Sequence, residues 1–157
     1  MSEKEIDEIL ISVFQKVTNE FSDFVMEQIP DTRSLAQTVA MLPKSLLTYE
    51  IVADDYFKFV NEGVNALQGN YQIKRPTFMG SRFQFRQPSV SSAFAVALQE
   101  KYRFSEPQSF AVGMSIKIHG IQAKNLTDKF FTADKLEAIA TELLQKLQLP
   151  LQLTFTK

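Results

Sequence analysis

The chain contains no cysteine and no tryptophan, and it has one histidine, five glycines and six prolines among 157 residues. Without cysteine there can be no disulfide framework, no zinc–thiolate site and no thiol nucleophile. There is no run of about 18 apolar residues, so we expect no membrane span. The stretch from Met1 to Glu5 is acidic where a secretory signal is basic, and we therefore expect no such signal.

The side chains that are present favour a folded protein. Hydrophobic residues make up 45% of the chain and charged residues 22%, and there are 14 phenylalanines. This composition and length are enough for a substantial hydrophobic core. We expect one compact domain overall.

Charge is segregated along the sequence although the net charge is only −1. Residues 1–70 carry 5 basic and 12 acidic side chains, residues 71–129 carry 9 and 3, and residues 130–157 carry 3 of each. The three net charges are thus −7, +6 and zero. An acidic half and a basic middle would suit head-to-tail packing of identical subunits. An ordinary surface whose charges happen to separate is the alternative.

Two helices are predicted at the N-terminus. Ser2 and Glu5 have the spacing of a capping box, and Pro30 stops the first helix near Gln28. One apolar stripe runs along that helix: Ile6, Ile9, Leu10, Val13, Val17, Phe21, Phe24 and Val25. A shorter helix is predicted from Asp31 or Thr32 to about Leu42, ended by Pro43.

The first helical segments form a predicted N-terminal arm over residues 1–45, and residues 46–157 form a predicted α+β core. Residues 46–52 are rich in β-branched and aromatic side chains and indicate a strand. Asp54 and Asp55 can turn the chain. Residues 56–60 suit a strand or a turn of helix. Residues 67–82, with their glycines and proline, predict an exposed loop.

Residues 82–86 alternate strictly between arginine and phenylalanine around a central glutamine. This alternation predicts a short strand with Phe83 and Phe85 on one face and Arg82 and Arg86 on the other. The two arginines should therefore leave the core and point to solvent or to a partner.

Three further helices and a closing strand complete the predicted core. The first begins at Pro88–Ser89 and presents Val90, Ala93, Phe94, Ala97 and Leu98. The second opens with a capping box at Ser105 and Gln108, has Pro107 in its first turn, and presents Phe110, Ala111, Met114 and Ile118. The third is capped by Thr132 and presents Leu136, Ile139, Ala140, Leu143, Leu144 and Leu147. Residues 151–155 alternate as a strand.

The second of these helices should end in a glycine cap. Lys117 and His119 lie in its last turn, where cations suit the helix dipole. Gly120 follows at the position of a left-handed C-cap, where an added Cβ costs roughly 1 kcal/mol. The predicted fold is α+β, with a small antiparallel sheet, helices packed on one face and a long N-terminal helix.

No residue pattern indicates catalysis, a metal or a cofactor. His119 is the single histidine, and a triad would need it together with a nucleophile elbow that the sequence lacks. Asp54 and Asp55 are adjacent and would point in different directions on a regular element. The glycines are scattered and form no phosphate-binding loop. An enzyme with carboxylate-only chemistry stays as a competing class, which a pocket of paired acids would favour.

The strongest binding pattern lies in residues 71–103, which mix cations with aromatic side chains. The cations are Lys74, Arg75, Arg82, Arg86, Lys101 and Arg103, and the rings are Tyr71, Phe78, Phe83, Phe85 and Tyr102. Clustered positive charge and stacking platforms are what single-stranded nucleic acid requires. The phenylalanines are equally good candidates for the core. A nucleic-acid-binding module is therefore the alternative function.

The order of segments in residues 46–155 resembles the tail-completion or head–tail joining proteins of tailed bacteriophages, as in phages of Bacteroidetes hosts. The resemblance is carried by Tyr56-Phe-Lys-Phe-Val60-Asn-Glu-Gly63-Val64, Phe83-Gln-Phe85, Phe110-Ala-Val-Gly-Met-Ser-Ile-Lys-Ile-His-Gly120-Ile121 and Phe130-Phe131. In that family a Tyr-x-x-Tyr/Phe-Val-Asp/Asn-x-Gly segment precedes a variable loop, a helix ending in Gly-Ile and a Phe-Phe pair. Gly113 inside the helix and the loop at 67–82 depart from the pattern, and the N-terminal helix lies outside it.

The resemblance implies a structural virion protein without enzymatic activity or cofactor. It would be one subunit of a homo-oligomeric neck ring, a connector that joins the portal of the head to the tail and lines the DNA passage. Its partners would be portal or adaptor and tail proteins, with non-specific contact to passing DNA and none to a membrane. Such a ring is assembled in the host bacterial cytoplasm. Residues 1–29 or 67–82 would reach a neighbouring subunit, and Lys74, Arg75, Arg82 and Arg86 would contact that subunit or DNA.

Overall fold

A computed structural model describes residues 1–30, 33–45, 47–69 and 77–148 of the chain, without the side chains of residues 33 and 34. The fold is α+β, with a long N-terminal helix and a two-stranded antiparallel sheet, as predicted. The chain divides into two compact units. Unit 1 comprises Met1–Asp54 and Leu126–Lys157, and unit 2 comprises Asp55–Asn125. The predicted arm lies within unit 1. The strand predicted for residues 151–155 lies outside the described residues.

Helix α1 (Glu3–Gln28) forms as its pattern predicts. The hydroxyl oxygen of Ser2 accepts a hydrogen bond from the backbone N–H of Glu5, and the Glu5 carboxylate accepts one from the backbone N–H of Ser2. The latter bond holds the pKa of Glu5 below its ordinary value. The buried positions all belong to the predicted stripe apart from Thr18: they are Val13, Val17, Thr18, Phe21 and Val25. The hydroxyl of Thr18 donates to the carbonyl of Phe14, which offsets the cost of burying it.

The second predicted helix is wrong beyond its first turn. Helix α2 is confined to Arg33–Ala36, and residues Ala40–Ser45 form strand β1, which pairs with β2 (Thr48–Val52). Tertiary pairing with β2 overrides the helical pattern here, and Pro43 is tolerated because a two-stranded sheet consists of edge strands. Leu47 adopts a φ of +61° in the connection.

Helix α1 covers one face of this hairpin. Met41 and Ile51 are paired across the two strands, and Tyr49 lies two residues from Ile51 on the same face. The ring of Tyr49 stacks on that of Phe14, with centroids 5.6 Å apart. The Tyr49 hydroxyl donates to the carboxylate of Asp7, which raises the pKa of Tyr49. The hairpin therefore belongs to unit 1.

Helices α6 (Leu126–Phe130) and α7 (Ala133–Leu147) complete unit 1. Leu126 is fully buried. The Thr132 hydroxyl accepts from the backbone N–H of Lys135, as the predicted cap requires. Lys16 of α1 and Glu142 of α7 form an ion pair of 2.8 Å, and Glu20 pairs with Lys135. Among the described residues of the predicted apolar stripe of α7, Leu147 is buried, whereas Leu136 is 41% exposed.

Unit 2 contains helices α3 (Tyr56–Glu62), α4 (Ser92–Tyr102) and α5 (Glu106–His119). The helix predicted from Pro88 begins later, since the Ser91 hydroxyl caps the backbone N–H of Phe94. Of the predicted apolar positions, Leu98 is buried and Phe94 is partly buried, whereas Ala93 and Ala97 are exposed. Ala95, which was not predicted, is buried as well.

Helix α5 has the predicted capping box and Pro107 in its first turn. It buries Ser109 and Gly113, however, and Phe110 and Ala111 are exposed. The reason is close packing at Gly113. A Cβ there would come within 2.9 Å of the side chain of Val90, so the glycine allows Val90 to pack closely against helix α5.

Candidate functional site

Two glycines end helices α3 and α5 with the same backbone conformation. Gly63 has φ +73° and ψ −175°, and Gly120 has φ +79° and ψ 179°. The positive φ of Gly120 is as predicted, but its ψ is extended, so the cap is not the left-handed one. This region of φ and ψ is open to glycine almost alone. Both helices therefore pass directly into extended backbone.

The residues after these glycines pair with each other. The N–H of Val64 donates to the carbonyl of Ile121 and the N–H of Ile121 donates to that of Val64, both at 2.8 Å. Residues 63–66 read Gly-Val-Asn-Ala and residues 120–123 read Gly-Ile-Gln-Ala. This four-residue repeat is too short to stand out in the sequence, and aligning the chain on its two helix-ending glycines would reveal it.

Asn65 fastens residues 81–85 to this pair. Its side-chain amide donates to the Ser81 carbonyl at 2.5 Å and accepts from the Ser81 N–H at 2.7 Å. Its backbone N–H donates to the carbonyl of Phe83 at 2.8 Å, and its carbonyl accepts from the N–H of Phe85 at 3.3 Å. The strand predicted for residues 82–86 is therefore wrong as a regular strand, because among described residues the segment forms one isolated bridge, from Gln84 to Asn65.

The predicted alternation of burial nevertheless holds along this segment. Phe83 and Phe85 are partly buried, and Arg82 and Arg86 are exposed. The ring of Phe83 meets that of Phe59 edge-on, with centroids 4.8 Å apart. Both arginines thus leave the core as expected.

Lys117 binds residues 87–89, which follow the segment that carries the two arginines. Its ammonium donates to the carbonyls of Gln87 and Ser89, at 3.1 and 2.5 Å, and lies 5.9 Å from the centre of the Phe85 ring. A lysine predicted as a helix-cap charge therefore acts as a clamp on residues 87–89.

These contacts shape a cleft of about 650 Å³ in unit 2, which we call the basic aromatic cleft. Its walls combine five aromatic rings with three cations and a few small or apolar side chains. The rings are Tyr56, Phe59, Phe83, Phe85 and Phe94, and the cations are Arg82, Arg86 and Lys117. This volume lies in the range of ligand pockets and suits a few inserted side chains.

The three cations of the cleft differ in how far they are engaged. Arg82 binds the Glu62 carboxylate through two N–H groups, each at 2.7 Å, although its side chain is 69% exposed. Lys117 is held by backbone carbonyls. Arg86 is exposed and forms no ion pair or hydrogen bond with the described residues. An anion entering the cleft would therefore meet Arg86 as its available donor.

The predicted motif residues are divided between the two units. Tyr56 lines the cleft at the start of α3, and Val60 is buried beside Gly63 in unit 2. Phe130 and Phe131 instead pack on Phe21 of α1 in unit 1, at ring distances of 5.1 and 5.3 Å. The structure thus brings Tyr56, Val60, Gly63 and Gly120 into one unit and the Phe-Phe pair into the other. Lys74 and Arg75 lie outside the described residues.

His119 is part of the helix end and lies apart from the basic aromatic cleft. Its Nδ1 lies 2.8 Å from the Ser115 carbonyl, and because a carbonyl can only accept, Nδ1 carries the proton. In the described ranges, no three His, Asp or Glu side chains lie close enough together to hold a metal ion. No described helix is long and apolar enough to cross a membrane.

No protein-family model matches this chain, and neither does any curated protein or solved structure. The resemblance to phage neck proteins therefore rests on the quoted residues of the sequence alone. Since no family is shown, function has to be inferred from the cleft, the surface charges and that order of segments.

Proposed function

We propose that the chain is a structural subunit of a homo-oligomeric ring in the neck of a tailed phage, joining the portal of the head to the tail around the DNA passage. Its role is assembly and not catalysis. The order of the motif segments, from Tyr56 through Gly63 and Gly120 to Phe131, supports the family. The charge distribution supports the ring.

One observation carries the proposal: the two compact units bear opposite net charges. Unit 1 has 8 basic and 14 acidic side chains, a net charge of −6. Unit 2 has 9 basic and 4 acidic side chains, a net charge of +5. The separation seen along the sequence is thus a separation between folded bodies.

Opposite charges on two bodies favour a head-to-tail contact between copies. Unit 1 of one subunit attracts unit 2 of the next, whereas like units repel. A head-to-tail contact uses two different surfaces, and repeated by a rotation that closes it generates a ring. A two-fold dimer would instead pair each surface with its own copy.

Electron microscopy of the phage particle tests the proposal. We expect the chain as several identical copies in a ring between portal and tail, with unit 1 of each copy against unit 2 of its neighbour. Tagged protein found elsewhere in the particle, or as an isolated subunit or a two-fold dimer there, would contradict the proposal.

A nucleic-acid-binding module is the second candidate. It is favoured by Lys101, Tyr102 and Arg103, which are exposed together at the end of α4, with the lysine ammonium 5.3 Å from the tyrosine ring centre. Cations beside an exposed ring suit a single strand. The test is DNA affinity against salt: a steep loss of affinity with added salt supports this function, and no measurable binding at low salt excludes it.

A further inference from the structure

We propose that the basic aromatic cleft of one subunit receives the C-terminal turns of α1 from a second copy, with Asp23, Met26 and Glu27 entering it. This inference rests on the proposed ring and names the two surfaces that form its repeated contact. The occupant is therefore an acidic helix end with an apolar side chain between its carboxylates.

The carboxylates at the end of α1 have no cationic partner among the described side chains of unit 1. Asp23 and Glu27 are one helical turn apart, both are exposed, and neither forms an ion pair with a described residue. Like charges at this spacing repel each other. The carbonyl end of a helix also disfavours anions, and the last turn of α1 contains no basic residue. An external cation would relieve both effects.

Met26 supplies the apolar part of the contact. It lies on the same side of α1 as Asp23 and Glu27 and is 39% exposed. A thioether is flexible and makes favourable contacts with aromatic rings, which form most of the cleft wall. The carboxylates of Asp23 and Glu27 suit the cations of the cleft, and the thioether of Met26 suits its aromatic rings.

The N-terminal end of α1 fits this role less well. Its carboxylates lie where the helix dipole favours anions, and Glu5 is already bound by Ser2. Glu8 is also exposed and has no ion pair among described residues. It lies beside Ser12 and Ile9 in a different, shallow hollow. It therefore provides a matched control on the same helix.

The state of the cations favours this occupant over nucleic acid. Binding a phosphate backbone requires several available cations in a row. In the described part of the cleft, Arg82 is already paired with Glu62, and Lys117 is held by Gln87 and Ser89. Arg86 remains, and its planar guanidinium suits a carboxylate. One available arginine in a wall of rings matches a mixed acidic and apolar helix end.

Exchange of charges between copies tests the contact. We expect Arg86→Glu and Glu27→Arg each to weaken self-association about tenfold or more in sedimentation experiments, because each places like charges together. Mixing the two variants, or combining both changes in one chain, should restore assembly, since the introduced arginine then faces the introduced glutamate across the contact. Glu8→Arg and Arg103→Glu are the controls and should assemble normally. Circular dichroism verifies that each variant is folded.

A cysteine cross-link gives a second measurement that depends less on affinity. The chain has no cysteine, so Met26→Cys in one preparation and Gln84→Cys in another allow a single mixed disulfide. We expect the mixed dimer to exceed either homodimer, and Ser12→Cys in place of Met26→Cys to give little product.

The outcomes separate this inference from the proposed function. Rings that tolerate Arg86→Glu and Glu27→Arg would overturn the inference and leave the ring intact. Loss of DNA binding by Arg86→Glu with normal rings would assign the cleft to nucleic acid and overturn it as well. Failure of the mixture and of the double variant to restore assembly would exclude α1 as the partner. Absence of any ring, in solution and in the particle, would reject both.

Discussion

Replacing Gly120 by alanine tests whether the two glycine-ended helices hold unit 2 together. An alanine Cβ at this position would lie 2.7 Å from the carbonyl oxygen of Val64, 2.8 Å from the nitrogen of Ala66 and 3.1 Å from the carbonyl oxygen of Phe78. All three atoms belong to the backbone, so none can yield by a side-chain rotation. The φ of +79° adds strain for any residue with a Cβ.

The expected cost follows from these two effects. A residue forced into a glycine-only conformation costs about 1–3 kcal/mol. Overpacking against fixed atoms costs roughly another 1–3 kcal/mol. We therefore expect Gly120→Ala to lower the free energy of unfolding of unit 2 by about 2–6 kcal/mol. The roughly 1 kcal/mol predicted for a left-handed cap is too small, because a Cβ there would meet backbone atoms of two other segments.

Urea unfolding followed by circular dichroism measures this loss. Gly80→Ala is the matched control: it is the same chemical change at an exposed glycine without a positive φ, and its Cβ would touch the Phe78 ring alone, at 3.2 Å. The Gly120 variant should lose at least about 1 M in its urea midpoint while the control changes little. Equal midpoints for the two variants would refute the reasoning. Gly63→Ala should be at least as damaging, since its Cβ would lie 2.4 Å from the Ile121 carbonyl.

Three further predictions concern unit 1. Leu47→Gly should stabilise the hairpin by about 0.5–1 kcal/mol in thermal unfolding, because glycine adopts the φ of +61° without the strain that a Cβ causes. Leu42→Gly, at an exposed strand position of the same hairpin, should destabilise it. Equal effects of the two variants would contradict this account. Leu126→Ala should cost about 2–5 kcal/mol in urea unfolding because Leu126 is fully buried; a cost no larger than that of Leu136→Ala, on the exposed side of α7, would be incompatible with that burial. Hydrogen bonds from Lys16 and Lys146 lower the pKa of the Glu142 carboxyl in the folded protein. The ionised carboxylate therefore stabilises the fold at pH values above its pKa in the unfolded chain, and this stabilisation is lost as the pH falls through the lower pKa of the folded state. Glu142→Gln should reduce the acid sensitivity of the urea midpoint, and an unchanged pH profile would show that the ion pairs contribute nothing.

Local signals of the sequence predicted the helices well where a cap and a stripe agree. The starts of α1, α5 and α7 follow from Ser2, Ser105 and Thr132. The hydroxyls of Ser2 and Thr132 accept from backbone N–H groups that the helix leaves free, and at α5 the N–H of Ser105 donates to the side chain of Gln108. The predictions of secondary structure fail where pairing with a segment distant in the sequence determines the conformation. Residues 37–42 have a helical pattern, yet Ala40–Ser45 becomes β1 because β2 pairs with it. Residues 82–86 alternate like a strand but find one bridge partner among the described residues.

In the basic aromatic cleft, too, the features that depend on neighbouring residues were predictable and those that depend on distant residues were not. The outward direction of Arg82 and Arg86 was predictable from alternation, since that property depends on neighbouring residues only. The pairing of Arg82 with Glu62, and the clamp formed by Lys117, join residues far apart in the sequence. Neither pattern nor spacing indicates them. The sequence therefore predicts which charges face outward, and the fold determines which remain available.

The hydrogen bond from the N–H of Ala66 to the carbonyl of Phe78 has a consequence for the length of chain that unit 2 tolerates between these residues. It fixes two points of unit 2 side by side, one before and one after residues 67–77. Doubling the length of chain between two fixed points costs only about 0.6 kcal/mol in closure entropy. Epitope tags or small inserted domains placed after Gly69 should thus leave the cleft formed, which makes this segment a suitable position at which to label the chain.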